Sequence, residues 1–201
     1  GDDLRDVHWS STARLGHLVV KEFTRPLEQR VLVVWDGCLD FNRQSEALEW
    51  SLRFCASLVG FALDNNVPAS LLCLQAEPML LGETQKHSMP LTLASSQRLL
   101  ARAQASRLGD LTEAMRPYLA SAASYGQLYL VTSANANETS AVLAAWRSAG
   151  GKADALQIDV NAFIKKKGKS DLAPHTPEFG IWPVDADVSY SSARKMLRRS
   201  V

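Results

Sequence analysis

The chain has 201 residues, 46% of them hydrophobic and 21% charged, so it can bury a sizeable core as one domain or as one domain with a small appendage. A net charge of +1 excludes a generally basic nucleic-acid binder and an acidic-tail protein. Three scattered cysteines, Cys38, Cys55 and Cys73, are too few for a disulfide frame or a zinc knuckle and read as reduced thiols of a cytosolic setting.

The N-terminal stretch concentrates Asp2, Asp3, Arg5, Asp6, His8, Trp9 and Arg14 before an alternating segment from Leu18 to Phe23, which predicts an edge strand at 18–24. Two arginines among acids and an indole fit a polar brace in which guanidinium forks hold carboxylates under the ring. A solvated surface turn is the alternative. Val31 to Trp35 is a continuous apolar run ending in Asp36-Gly37, as in a strand buried on both faces. From Ser45 to Leu63, Leu48, Leu52, Cys55, Val59 and Ala62 or Leu63 recur at steps of three and four, predicting a helix stopped by Asp64-Asn65-Asn66. A second strand follows at Ala69 to Leu74, with a hairpin arm at Glu77 to Leu81. Helices are expected at Ser95 to Ser106, on Leu99, Leu100 and Ala103, and from Asp110, where Glu113 suggests a capping box. Pro117 kinks that helix or begins another.

Leu128 to Thr132 reads as a third buried strand, Asn137 as the start of a helix with Val142, Leu143 and Trp146 inward and Gly150-Gly151 at its end, and Ala153 to Val160 as a last strand. This strand–helix rhythm calls for an α/β fold: a mainly parallel open sheet with helices on both faces. After Val160 the pattern dissolves into Lys165-Lys166-Lys167-Gly168-Lys169, a proline-bearing stretch from Pro174 to Pro183, and a short basic helix near Ser192 to Arg199. The expected organisation is one domain over residues 1–160 and a C-terminal arm over 161–201. The lysine run and the tail Arg194, Lys195, Arg198 and Arg199 lack interleaved aromatics and read as solvated, so no nucleic-acid partner is expected. No apolar run approaches the about 18 residues of a membrane span and no signal peptide is visible, which reads as a soluble fragment.

In an open parallel sheet, ligands bind beyond the carboxyl ends of the strands. Asp36-Gly37-Cys38-Leu39-Asp40 and Thr132-Ser133-Ala134-Asn135 occupy two such ends. Cys38 is placed where a thiol could be activated, with His8, His17, His87 and His175 as candidate bases, but no spacing pairs them. Cys55 and Cys73 read as core filler. Asp36, Asp40 and Glu138 could pair for hydrolysis, although strand-end acids also cap helices. Gly150-Gly151 closes a helix rather than opening one, the wrong place for a phosphate cradle.

Gly1-Asp2-Asp3-Leu4-Arg5-Asp6-Val7-His8-Trp9, then Thr12-Ala13-Arg14, then Val19-Val20-Lys21-Glu22-Phe23 resembles the signature of domain-of-unknown-function family 58, a bacterial family with a degenerate von Willebrand factor A fold. The resemblance runs from Gly1 to about Asp159. It implies that Gly1, Asp2, Asp3, Arg5, Trp9, Ala13, Arg14 and Glu22 form a structural or docking element. It also implies that the family pattern begins upstream of Gly1, in a β-rich segment preceded by membrane-spanning helices. The chain would then be a cytoplasmic domain of a membrane-anchored protein, reaching the membrane only through segments it does not contain.

In von Willebrand A domains a D-x-S-x-S loop, a threonine from another loop and an aspartate at the second strand end hold magnesium through hard oxygens. Here Asp36 is kept, Cys38 and Asp40 replace the serines, and the strand ending at Thr132 brings no aspartate. Asp36, Cys38, Asp40 and Thr132 therefore read as a degenerate metal-site loop with no metal and no cofactor, since thiols suit magnesium poorly. The resemblance implies a non-catalytic assembly module, companion to a MoxR-type AAA+ ATPase and a transglutaminase-like membrane protein. Its expected contact surface is the rim from Asp36 to Asn42 and Thr132 to Glu138, with Asp40, Arg43, Asn135 and Asn137. A cysteine- or metal-dependent hydrolase centred on Asp36, Cys38 and Asp40 is the competing reading.

Overall fold

Val31–Asp36 forms the central strand, β1, of the computed structural model, and from Leu32 onward every residue of it is buried. The structure describes residues 12–14, 16–17, 30–83, 88–89, 91–165 and 181–184. After β1 come a 3-10 turn at Leu39–Arg43, α1 (Ser45–Asp64), β2 (Ala69–Leu74), β3 (Met79–Glu83) and β4 (Ser88–Met89). Then follow α2 (Leu93–Ala101), α3 (Leu111–Leu119), β5 (Gln127–Thr132), α4 (Ala136–Ser148), β6 (Lys152–Ile158), α5 (Val160–Lys165) and β7 (Ile181–Val184).

The strands lie in the order β4-β3-β2-β1-β5-β6-β7. β2, β1, β5, β6 and β7 run parallel, while at one side β3 pairs antiparallel with β2 and β4 antiparallel with β3. Strand pleating sends alternate residues of β1 to opposite faces. Val33 and Trp35 meet Phe54, Cys55, Leu58 and Val59 of α1, Leu99 and Leu100 of α2, and Val160 and Phe163 of α5. Leu32 and Val34 share the other core with Leu111 and Met115 of α3 and Val142, Leu143 and Trp146 of α4. Helices thus cover both faces of a mainly parallel sheet, the α/β fold class expected from the sequence.

Local signals place several helix ends. Thr92 and Ser95 cap α2 reciprocally: the Ser95 amide donates to Thr92 Oγ1 at 3.1 Å and the Thr92 amide to Ser95 Oγ at 2.9 Å. Asn66 leaves α1 in the left-handed region, at φ 55°, and Gly150 closes α4 at φ 94°.

Other expectations are corrected by tertiary contacts. The inward face of α1 is Ala47, Ser51, Phe54, Cys55, Leu58, Val59 and Ala62, with Leu48 and Leu52 half-buried. A polar residue lies inside because the buried indole of Trp35 donates to Ser51 Oγ at 2.9 Å. The helix expected to run to Ser106 ends at Ala101, since the segment beyond bonds to strand ends instead: Gln104 N–H to Gln75 Oε1 at 3.0 Å and Arg107 N–H to the Gly37 carbonyl at 2.8 Å. Asp110 caps α3 through the Thr112 amide at 2.5 Å rather than through a reciprocal pair with Glu113, and Pro117 sits within α3, two residues before its end. α4 is capped by Asn135, not begun at Asn137. Where the pattern dissolved in sequence, Val160 and Phe163 are buried in α5 and Ile181–Val184 pairs with β6. The expected edge strand at 18–24, the run at 166–169 and the basic helix near 192–199 lie outside the described residues.

Candidate functional site

β1 lies between β2 and β5, so chain order reverses there and the strand ends splay open into a crevice. Asp36, the last residue of β1, is fully buried at its base. A carboxylate out of water needs a counter-charge and hydrogen bonds, or it destabilises the fold. Arg107 supplies the charge: Nε donates to Asp36 Oδ1 and Nη2 to Oδ2 at 3.3 Å. Thr132, ending β5, adds its hydroxyl, donated to Oδ2 at 2.6 Å. The same Thr132 oxygen accepts the Ala134 amide at 2.9 Å, and the Ala134 carbonyl accepts Gln157 Nε2 of β6 at 2.7 Å. One polar chain therefore ties β1, β5 and β6 together.

Arg107 is delivered by backbone geometry. Its loop runs beside the residues after β1, forming a parallel bridge with Cys38. Its third guanidinium nitrogen, Nη1, donates to the Gly109 carbonyl. The close approach requires Gly37: a Cβ there would lie 2.7 Å from the Trp35 ring, 2.8 Å from the Leu74 carbonyl and 2.9 Å from the Gln104 carbonyl. Burial pushes the Asp36 carboxyl above its ordinary range, against the opposing pull of Arg107 and of the Thr132 hydroxyl. For Arg107, burial works against the charge, but the bond to Asp36 outweighs it and holds the guanidinium above its usual value. It stays cationic.

Outward of this pair is a cavity of about 310 Å³, whose walls include Cys38, Asp40, Arg43, Glu138 and Asp159. Glu138 is a cap: its carboxylate accepts the Leu111 amide at 3.2 Å and Asn135 Nδ2 at 2.5 Å. The three acids considered for hydrolysis thus separate into a buried ion pair (Asp36), a helix cap (Glu138) and an exposed side chain (Asp40). Cys38 is half-buried on the wall, but His17, the one histidine among the described residues, does not line the cavity. Burial pushes Cys55 well up and Cys73 up to about 12, as befits thiols used as core filler.

A hard divalent ion does not fit these residues. Each Asp36 oxygen is engaged by Arg107, Thr132 or both, and the next side chain along the loop is a thiol. Among the described residues, no three histidine, cysteine, aspartate or glutamate side chains converge as a ligand set.

The sequence profile described as "Protein of unknown function DUF58" matches residues 1–165. The chain belongs to this family. Among solved structures, this DUF58 chain is similar to proximal thread matrix protein 1 from the mussel byssus, at 11% identity over 85% of this chain and 46% of that one, with a TM-score of 0.54. The same byssus protein with a zinc-occupied MIDAS motif matches at 10% identity over 86% and 46%, with a TM-score of 0.50. A von Willebrand factor type A protein from Catenulispora acidiphila aligns at 14% identity over 66% and 33%, with a TM-score of 0.43. The DUF58 chain spans just under half the length of the byssus protein, and at this identity the likeness concerns the fold. No curated protein matches it.

Of the residues singled out in sequence, Asp36, Cys38, Asp40 and Thr132 do meet around one crevice. Of the DUF58 signature, Gly1, Asp2, Asp3, Arg5, Trp9 and Glu22 lie outside the described residues, while Ala13 and Arg14 are exposed on a helical turn at 12–14. Arg107 was missed, because the helix expected through Ser106 placed it at an ordinary helix end. Its one sequence signal is indirect: a strand ending in a buried aspartate requires a cation from elsewhere.

Proposed function

We propose that this DUF58 chain is a non-catalytic protein-interaction module whose docking surface is the loop rim above β1 and β5. The observation carrying this reading is the division of labour at the crevice. Asp36, Arg107 and Thr132 are consumed by one another at its base, whereas the rim displays exposed Asp40, Arg43, Asn135 and Asn137. Leu39 and Leu108 stand beside them 44% and 75% exposed, apolar anchors of the kind interfaces bury. Loops on a rigid sheet hold such groups in place and are free to vary. The byssus protein is described with zinc in a MIDAS motif, whereas here Asp36 is spent on a guanidinium, so docking rests on polar and apolar contacts.

The resemblance to the family supports a finer assignment. The partner is a MoxR-type AAA+ ATPase, with a transglutaminase-like membrane protein in the same system. The full-length protein is membrane-anchored, with this domain cytoplasmic; no helix among the described residues is itself long and apolar enough to cross a membrane. Charge reversal at Asp40 and Arg43 in the full-length protein tests the assignment. Affinity for the cognate ATPase, measured by calorimetry, should fall about tenfold or more, the order expected when interface groups are reversed. The melting temperature should barely move. Unchanged affinity would refute the docking face, and hydrolytic turnover abolished by Cys38→Ser would favour the hydrolase.

A further inference from the structure

We infer that Arg107 is a built-in replacement for the divalent cation of von Willebrand A domains, a permanent cation that fills the crevice from within the chain. Three observations carry it. The first is charge: Asp36, which the resemblance matches to the first metal-binding aspartate of von Willebrand A domains, is fully buried at its strand end, and its counter-ion is the Arg107 guanidinium. The second is saturation. All three guanidinium nitrogens are engaged, two by Asp36 and one by the Gly109 carbonyl. Thr132 turns its hydroxyl hydrogen to Asp36 and accepts the Ala134 amide on the same oxygen. An oxygen that gives its proton to the carboxylate and a lone pair to an amide is poorly placed to ligate an ion.

The third is construction. Gly37 clears space for the loop, the Gly37 carbonyl accepts the Arg107 amide at 2.8 Å, and the Cys38 bridge sets the loop's register. The guanidinium is therefore held in place before any solute cation arrives, and a divalent ion would have to displace a tethered competitor. Because arginine is charged at every physiological pH, the cation is also independent of pH and of metal supply. Arg107 is on this reading a positioning residue. It keeps the 102–110 loop against the end of β1, so the rim has one arrangement where a metal-dependent domain has a loaded and an unloaded one.

Removing the guanidinium should expose a latent site. Asp36 would be left with Thr132 and with the thiol of Cys38, two residues along the chain on the wall of the same cavity. A carboxylate beside a thiol suits zinc better than magnesium. The experiment uses thermal melting and calorimetry with magnesium, manganese and zinc, with EDTA, and with methylguanidinium. Wild-type protein is expected to show no saturable uptake at Asp36 and no shift in melting temperature with any of them. Arg107→Gly is expected to melt lower and to regain about 5 °C or more with millimolar methylguanidinium or with zinc, a size typical of ligand-linked stabilisation. That response should vanish in Asp36→Asn/Arg107→Gly. Saturable binding to wild-type protein that is lost in Asp36→Asn would overturn the proposal, as would an Arg107→Gly protein indifferent to both kinds of cation. If Arg107→Gly does not fold, Arg107→Lys keeps the charge without the fork. It should fold and ignore divalent ions, and stoichiometric zinc uptake by that variant would also overturn the proposal.

Discussion

Arg107 meets the buried carboxylate of Asp36 across 71 residues of sequence, and each residue is nearly inaccessible, at 5% and 0% exposure. Such a pair gains little over a well-packed apolar one, because desolvation offsets most of the attraction, yet losing one member strands a charge in the interior. Asp36→Asn and Arg107→Met should therefore each cost about 3–5 kcal/mol. The double variant should cost clearly less than their sum. A double-mutant cycle in urea measures this, and additivity within about 0.5 kcal/mol would show that the two do not act as a unit.

Thr132 separates shape from hydrogen bonding. Thr132→Val preserves volume but leaves Asp36 Oδ2 short of a donor and the Ala134 amide without its acceptor. The expected loss is about 1–3 kcal/mol, the usual cost of buried groups left unpaired. Thr132→Ser keeps the hydroxyl and should lose distinctly less. Equal losses would show that packing of the methyl group, rather than the hydroxyl, matters here.

Two glycines should respond in opposite directions. Gly37→Ala forces a methyl group to within 3 Å of two carbonyls and the Trp35 ring, displacing the loop that carries Arg107. Overpacking of this kind costs about 1–3 kcal/mol. Gly60 lies inside α1, where an added Cβ would have Leu93 Cδ1 as its nearest neighbour at 3.7 Å. Gly60→Ala should be neutral or stabilise by up to about 1 kcal/mol through helix propensity. Denaturant midpoints decide both, and a tolerated Gly37→Ala would refute the close approach.

The buried thiols set an alkaline limit. The Cys73 thiol is raised from 9.0 to about 12 and Cys55 is raised as well, both through burial, so unfolding lets them ionise more readily. The unfolded state then binds fewer protons than the folded state above pH 9, and stability falls as pH rises through that window. Each thiol contributes at most about 1.4 kcal/mol per pH unit. Below pH 9 neither should affect stability. At pH 8 a thiol reagent should label half-buried Cys38 quickly and Cys55 and Cys73 only on unfolding. Rapid labelling of all three would show that the core is open.

Much of the architecture is written locally. The runs at Val31 to Trp35, Ala69 to Leu74 and Leu128 to Thr132 read as buried strands because a parallel sheet covered on both faces wants apolar residues without alternation. Gly150 and Asn66 end their helices where a left-handed residue is needed, and Thr92 begins one because a hydroxyl can satisfy an orphan amide. These effects act within a few residues and leave their mark on composition and spacing. Strand-end location also brought Asp36, Cys38, Asp40 and Thr132 forward, since a doubly wound sheet opens at those ends.

What tertiary structure alone decided is which groups those ends would meet. Ser51 faces inward because an indole 16 residues earlier needs an acceptor, and the chain after Ala101 leaves the helix because strand-end carbonyls and side chains claim its amides. Val160 and Phe163 are core because a hydrophobic face was waiting for them. Arg107 is the sharpest case: no local propensity distinguishes it from the exposed Arg43, Arg53 or Arg116. It became the cation of the crevice because folding removed Asp36 from water, and a buried charge is satisfied by whichever partner the topology brings within reach.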